Sequence, residues 1–456
     1  MDWISVLPPI VAIAVVLWRK EVIIALLLAI FTSELLQLPL AGSAPLLATL
    51  GTIERTVSVF DSPGNARLLV FSLMIGALLA YIRASGGVAA VVLSLVNRGV
   101  AKNGRQAALL TSGVGTVVFV ESNLSVLTAG ILSRGLFDRF GMSRAKLAYI
   151  IDSTSAPVCI LILLNGWGAF VLALLDNYEL GASSASILWG TIHLNFYALL
   201  TLGVVFLTAW SGRYFGPLAT SDTVVAHTGD EVEELKATKA RYMILPLLVM
   251  IVGMLGFMYW TGDGDLAAGS GSKSVLYATT LATLLAYLQM LFGGHYTHLE
   301  LVKIGFDGMS DLLPLVAILL LALALGSSLD ALGTGDYIAG LVSGNLPVFL
   351  IPAVLFLAGG LISFSTGTSW GTFAILVPLG MPLVNALDLP PSLLLAAILG
   401  GGVFGDHCSP ISDTTAVSSI ASGCDLLEHV RTQLPYALFT GGISLLMYVI
   451  AGLTLL

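Results

Sequence analysis

The sequence predicts an all-α polytopic membrane protein made of two inverted-topology repeats, each with a re-entrant hairpin and a broken transmembrane helix. Three observations predict it. The 456 residues are 57% hydrophobic and only 10% charged, with a mean hydropathy of +0.96, whereas soluble domains carry about 25% charged residues. Apolar runs that cross or nearly cross a bilayer recur from end to end. Between them lie segments with polar, glycine-rich centres, and these follow the same order in both halves.

The runs cover residues 4–18, 21–38, 68–82, 147–175, 186–210, 242–260, 275–292, 312–329 and 433–455. The first has no basic region before it and reads as a retained span, not a cleaved signal. Lys and Arg in short loops mark the cytoplasmic side. Arg98, Lys102 and Arg105 precede residues 107–137, and Arg134, Arg139, Arg144 and Lys146 close that region. Its two arms flank the polar tip Glu121, Ser122, Asn123 and Ser125, and are too short for two spans of about 20 residues. A hairpin that enters and leaves on the inside satisfies both facts.

The signs then alternate. Asp176 and Glu179 fall outside, Arg213, Lys236, Lys239 and Arg241 inside, Asp263 and Asp265 outside, Lys303 inside, and Asp330 and Asp336 outside. A second hairpin, 346–387, starts and ends outside; a broken helix, 393–422, crosses to Arg431; the last span leaves both termini outside. The repeats are expected at 1–210 and 242–456 around a cytoplasmic linker at 211–241, with the first broken helix at 147–175. SNLSVLTAGIL from 122 pairs with TGTSWGTFAIL from 366, a shift of 244. LAYII from 147 pairs with LAAIL from 395. DSTSAP from 152 pairs with DHCSP from 406, with extra residues before the second Asp. Proteins built this way bind their cargo near midplane, where the broken elements of both halves meet.

Four polar tips are expected to converge there. Their ligand set is Glu121, Ser122, Asn123, Ser125, Asp152, Ser153, Thr154, Ser155, Thr366, Thr368, Ser369, Asp406, His407, Ser409, Asp413 and Thr414. Carboxylates inside a membrane are costly and mark sites, and these hard oxygens suit a hard cation such as Na+ better than a soft metal. Asp152, Asp406, Asp413 and Glu121 are the candidates for carrying a proton, because a dry carboxylate holds either a proton or a cation. Bland roles compete with each assignment. Hydroxyls in helices bond the carbonyl one turn back, glycines at 400–402 permit close packing, and His407 can relay a proton or serve a helix end. Asp138 and Asp425 read as loop residues, and His193, His295 and His298 as interfacial ones. Cys159, Cys408 and Cys424 make no disulfide framework or C-x-x-C site. No basic stripe with interleaved aromatics supports nucleic-acid binding.

KLAYIIDSTSAPVCI, WGA from 167, FSTGTSWGTFAILVPLGMPL, GDHCSPISDTT and GCDLLEHVRTQLPYAL resemble the NhaC-type Na+/H+ antiporter family of the ion transporter superfamily, over most of the chain after Leu68. The resemblance implies a secondary transporter, not an enzyme, in the bacterial inner membrane. It also implies a homodimer, an elevator motion of a transport domain against a scaffold, and Na+ and H+ as coupled ions with no resident cofactor. Where many members read F-D-D-Y-x-N, this chain has Val120, Glu121, Ser122, Asn123, Leu124 and Ser125; for P-I-S-S-W it has Leu163, Leu164, Asn165, Gly166 and Trp167. One acid fewer lowers the negative charge of the site. The family's organic-acid and amino-acid exchangers therefore supply the alternative reading, a Na+- or H+-coupled carrier of a small organic solute. An intramembrane hydrolase using Asp152 and Asp406 is a remoter one, since no nucleophile–base pair is signalled.

Overall fold

A computed structural model describes residues 3–39, 43–97, 101–119, 121–162, 165–221, 238–265, 269–294 and 296–455. Val120, Leu163, Leu164 and His295 lie outside the described residues, as does 222–237 of the expected linker. Every regular element among the described residues is helical.

The chain opens with α1 (Leu7–Arg19), which carries Pro8 and Pro9 in its first turn, where a missing N–H leaves no bond unmade. Lys20 turns the chain with a φ of 57°. α2 (Val22–Leu36) begins on Glu21, whose carboxylate accepts the Ile24 N–H at 2.8 Å. At 13 and 15 residues, these helices rise about 20 and 22 Å, short of a hydrocarbon core of about 30 Å. They make an apolar hairpin, not two full crossings. α3 (Ala44–Ser58) bends into α4 (Pro63–Ala84), followed by α5 (Gly87–Asn97). α6 (Gly104–Val117) and α7 (Ser122–Arg139) form the first re-entrant hairpin, and α8 (Arg144–Leu161) and α9 (Gly166–Leu175) the first broken helix, bent by 43°. The expected crossing at 186–210 is interrupted: α10 (Ser184–Gly190) ends before α11 (Phe196–Ser211), which Asn195 caps.

In the second half, α12 (Arg241–Thr261), α13 (Gly271–Phe292) and the 35-residue α14 (His298–Leu332) lead to α15 (Thr334–Asn345). α16 (Ile351–Thr366) and α17 (Ser369–Leu387) are the second hairpin, α18 (Pro391–Cys408) and α19 (Asp413–Ser422) the second broken helix, and α20 (Leu426–Leu455) closes the described chain. Nine helices among the described residues are long and apolar enough to cross a membrane, ten if α8 and α9 count as one.

The repeat is more regular than its sequence traces. α5, α7, α8 and α9 start at 87, 122, 144 and 166; α15, α17, α18 and α19 start at 334, 369, 391 and 413, a constant offset of 247. This corrects the shift of 244 and removes the insertion before the second Asp. A slip of three residues is nearly one helical turn and leaves the same face apolar, so composition alone does not resist it. The break also moves: Asp152–Pro157 lies inside α8, which ends at Leu161, and α9 begins at Gly166.

Two contacts fix the helix packing. α4 crosses α14 where a Cβ on Gly76 would overlap the Gly308 carbonyl. α18 lies against α16 where a Cβ on Gly401 would overlap the Phe356 carbonyl, so close approach accounts for that glycine. The first break is held by Asn165, whose Oδ1 accepts the Trp167 and Gly168 N–H groups at 2.9 and 3.1 Å. Its Nδ2 donates to the Phe119 and Cys159 carbonyls at 2.9 and 2.8 Å, tying the break to the hairpin tip. Gly308→Val is expected to cost about 1–3 kcal/mol through overpacking, whereas Gly442→Ala, which meets nothing within 4 Å, should stay within about 0.5 kcal/mol; thermal unfolding in detergent reads both. Asn165→Ala should cost about 2 kcal/mol or more in the same assay, because a helix cap and two donors are lost together.

Candidate functional site

At membrane depth a backbone group without water must find a partner in the protein. The tips and breaks expose four helix starts, those of α7, α9, α17 and α19, and polar residues meet them first. Glu121 caps α7, accepting the Asn123 and Leu124 N–H groups at 2.9 and 2.6 Å. Ser412 caps α19 through the Thr415 N–H at 3.3 Å, and the Asp413 carboxylate accepts the Thr414 N–H at 2.9 Å. Carboxylates suit these positions because a helix start carries partial positive charge.

Glu121 and Asn123 from the first hairpin, Gly166 and Trp167 from the first break, Thr368 and Trp370 from the second hairpin and Asp413 from the second break line one cavity of about 270 Å³. Phe71, Ser72, Ile75, Asp311 and Leu315 of α4 and α14 form the facing wall. Trp370 lies 4.9 Å from the Trp167 ring and 5.0 Å, edge-on, from Phe170. The Asn123 side-chain oxygen is buried with no partner among the described residues. No Lys or Arg is among the described lining residues. Arg83 stands at the mouth, its Nη1 4.0 Å from an Asp311 carboxylate that is 68% exposed.

The other expected residues fall in three places. Ser122, Asp406, Ser409, Thr414, Thr366 and Ser369 support the tips from behind. Thr414 donates to Asp406 at 2.9 Å, Ser409 to the Phe364 carbonyl at 2.7 Å and Ser369 to the Gly402 carbonyl at 3.2 Å. Thr366 bonds the Ile362 carbonyl one turn back at 2.9 Å. Ser125, Thr154 and Ser155 spend their hydroxyls on the carbonyls of Gly115, Ile150 and Asp152. Asp152 does not line the cavity. It is fully buried, with Gln433 Nε2 at 2.6 Å and His429 Nε2 at 3.3 Å from Oδ2. His407 and Ser153 border that second cluster. His429 and Gln433 are absent from the sequence-derived set; their signal was a spacing of four in GCDLLEHVRTQLPYAL, which puts both on one helix face. No group of three or more His, Cys, Asp or Glu among the described residues is placed to hold a metal ion.

The profile of the Na+/H+ antiporter family matches residues 158–453. A Haemophilus influenzae protein described only as uncharacterized is 31% identical over 99% of this chain and 91% of its own length. Shorter matches include the malate-2H(+)/Na(+)-lactate antiporter of Bacillus subtilis, 30% identical over 36% of each chain. The arginine/ornithine antiporter ArcD of Halobacterium salinarum is 41% identical over 23% of this chain and 22% of its own. Among solved structures, Neisseria gonorrhoeae MtrF superposes with a TM-score of 0.61 at 16% identity, covering 97% of this chain and 94% of MtrF. The Alcanivorax borkumensis YdaH transporter gives 0.62 at 15%, covering 97% and 98%. These likenesses show the fold. The antiporter profile covers more than half of the chain, and the chain is a secondary transporter belonging to the Na+/H+ antiporter family.

Proposed function

We propose that the protein exchanges Na+ for H+ across the inner membrane, with the cation held in the cavity between the hairpin tips and α4–α14. One observation carries the reading: Glu121 and Asp413, contributed by different repeats, face a single cavity with the unpartnered oxygen of Asn123 beside them. Two carboxylates and neutral oxygens are what a hard cation takes. With the basic loops inside, both termini lie outside and the Arg83–Asp311 mouth is the cytoplasmic one.

Alternating access fits the same seam. A second space of about 480 Å³ lies along it toward Asp61 and Asp330. Between the two spaces α4 and α14 bury Leu68, Leu69 and Leu319. Movement of the hairpins and broken helices along α4 and α14 would carry the tips from one space toward the other.

A second reading is exchange of a small organic solute bearing a positive charge. Its support is the size of the cavity and its aromatic wall, far more room than a bare ion needs. A cation over Trp faces beside carboxylates is a favourable arrangement. In proteoliposomes an imposed pH gradient should drive Na+ flux, and Glu121→Gln and Asp413→Asn should each lower it by about tenfold or more. Ser365→Ala, whose hydroxyl bonds only the Leu361 carbonyl, should remain within about twofold. If no Na+ flux follows the gradient while an amine or amino acid is exchanged, and Trp370→Ala abolishes that exchange, the second reading replaces the first.

A further inference from the structure

Behind the cavity, α8, α11, α18, α19 and α20 pack around a polar cluster that cation binding at the tips does not use. Asp152 and His429 are fully buried, and His407 and Gln433 are each 1% exposed. Gln433 Nε2 bonds both the Asp152 carboxylate and the His407 carbonyl, at 2.6 and 3.2 Å. His429 Nε2 stands 3.3 Å from the same carboxylate oxygen, and His407 Nδ1 lies 3.0 Å from the Tyr197 hydroxyl. Four atoms have no partner among the described residues: Asp152 Oδ1, His407 Nε2, His429 Nδ1 and Gln433 Oε1. A buried polar group without a partner is costly, and a carboxylate between two imidazoles can offset that cost by taking up or releasing a proton.

The cluster also borders a small void on the side of the segment that follows α11. A void of about 10 Å³, near the space of a single water, touches His407 and Gln433 and is walled by Tyr149, Ser153, Tyr197 and Tyr436. The Tyr436 hydroxyl accepts the Phe215 N–H at 2.7 Å, in the segment after α11 that the basic loops assign to the cytoplasm. Toward the cavity, Asp406 precedes His407 and accepts from Thr414 at 2.9 Å, next to Asp413 on the cavity wall.

We propose that Asp152, His407, His429 and Gln433 form a proton-binding site separate from the cavity, reached through the Tyr149–Tyr436 crevice. The inference rests on the exchange reading above and says where its proton sits. Proton and cargo then occupy neighbouring sites on different helices and are coupled through the α18–α19 break, which carries His407 on one side and Asp413 on the other; they do not compete for one carboxylate. The titratable groups facing Asp152 and its partners are Tyr149 from α8, Tyr197 from α11, Asp406, His407 and Cys408 from α18, Asp413 from α19, and His429 and Tyr436 from α20.

The test compares two assays on each variant in proteoliposomes: flux of labelled Na+ driven by a pH gradient, and exchange of labelled for unlabelled Na+ at equal pH on both sides. For Asp152→Asn and His429→Gln, gradient-driven flux should fall by about tenfold or more, while equal-pH exchange stays within about twofold and loses its dependence on pH. Glu121→Gln should lose both. Wild-type gradient-driven flux and pH profile in Asp152→Asn would overturn the proposal. So would loss of both fluxes in folded Asp152→Asn, since the residue would then belong to the cargo site. Should that variant not fold, His429→Gln and Gln433→Leu decide on the same criteria. If wild type moves Na+ under no condition, the exchange reading itself fails, an outcome distinct from the others.

Discussion

A helix that stops inside a membrane leaves N–H and C=O groups that no water can reach. Everything distinctive about this fold follows from how that deficit is met. The hairpin tips and helix breaks put helix starts inside the bundle, and Glu121, Asn165 and Ser412 accept their N–H groups. Once such residues are needed for structure, the same oxygens can face a cavity. Glu121 shows both uses: its two oxygens each accept an amide, and the side chain lines the space shared with Asp413. The cap and the candidate ligand are one residue.

The deficit also explains the use of glycine. Broken helices reach the centre only if neighbouring backbones approach closely, as α18 does to α16 at Gly401. Gly367, with a φ of 69°, ends α16 against the Ile411 carbonyl, bringing the second hairpin tip onto the second break. In lipid the packing of such surfaces holds helices together without a hydrophobic driving force.

Asp152 and Asp413 show why intramembrane acids need not share a task. Asp413 sits at a helix start beside the cavity. Asp152 sits in mid-helix, enclosed by side chains from α20 that arrive 277 and 281 positions later in the chain. A fully buried carboxylate and one that faces a cavity therefore sit in different surroundings in one protein.

By itself, the sequence determined the membrane class, the two hairpins and the doubled architecture, because hydropathy and interrupted apolar runs act locally and need no knowledge of neighbours. It located the tips at Glu121, Asn123, Thr368 and Asp413 for the same reason. It did not locate the first break, because DSTSAP is polar yet bonds its own carbonyls within α8, and Asn165 carries the break with a single amide. Only the tertiary structure decided that Asp152 faces His429 and Gln433 instead of the cavity, and that α4 and α14 supply its far wall. Those are contacts between residues hundreds of positions apart, set by the rotation of each helix about its axis, and a slip of one turn leaves an apolar pattern unchanged.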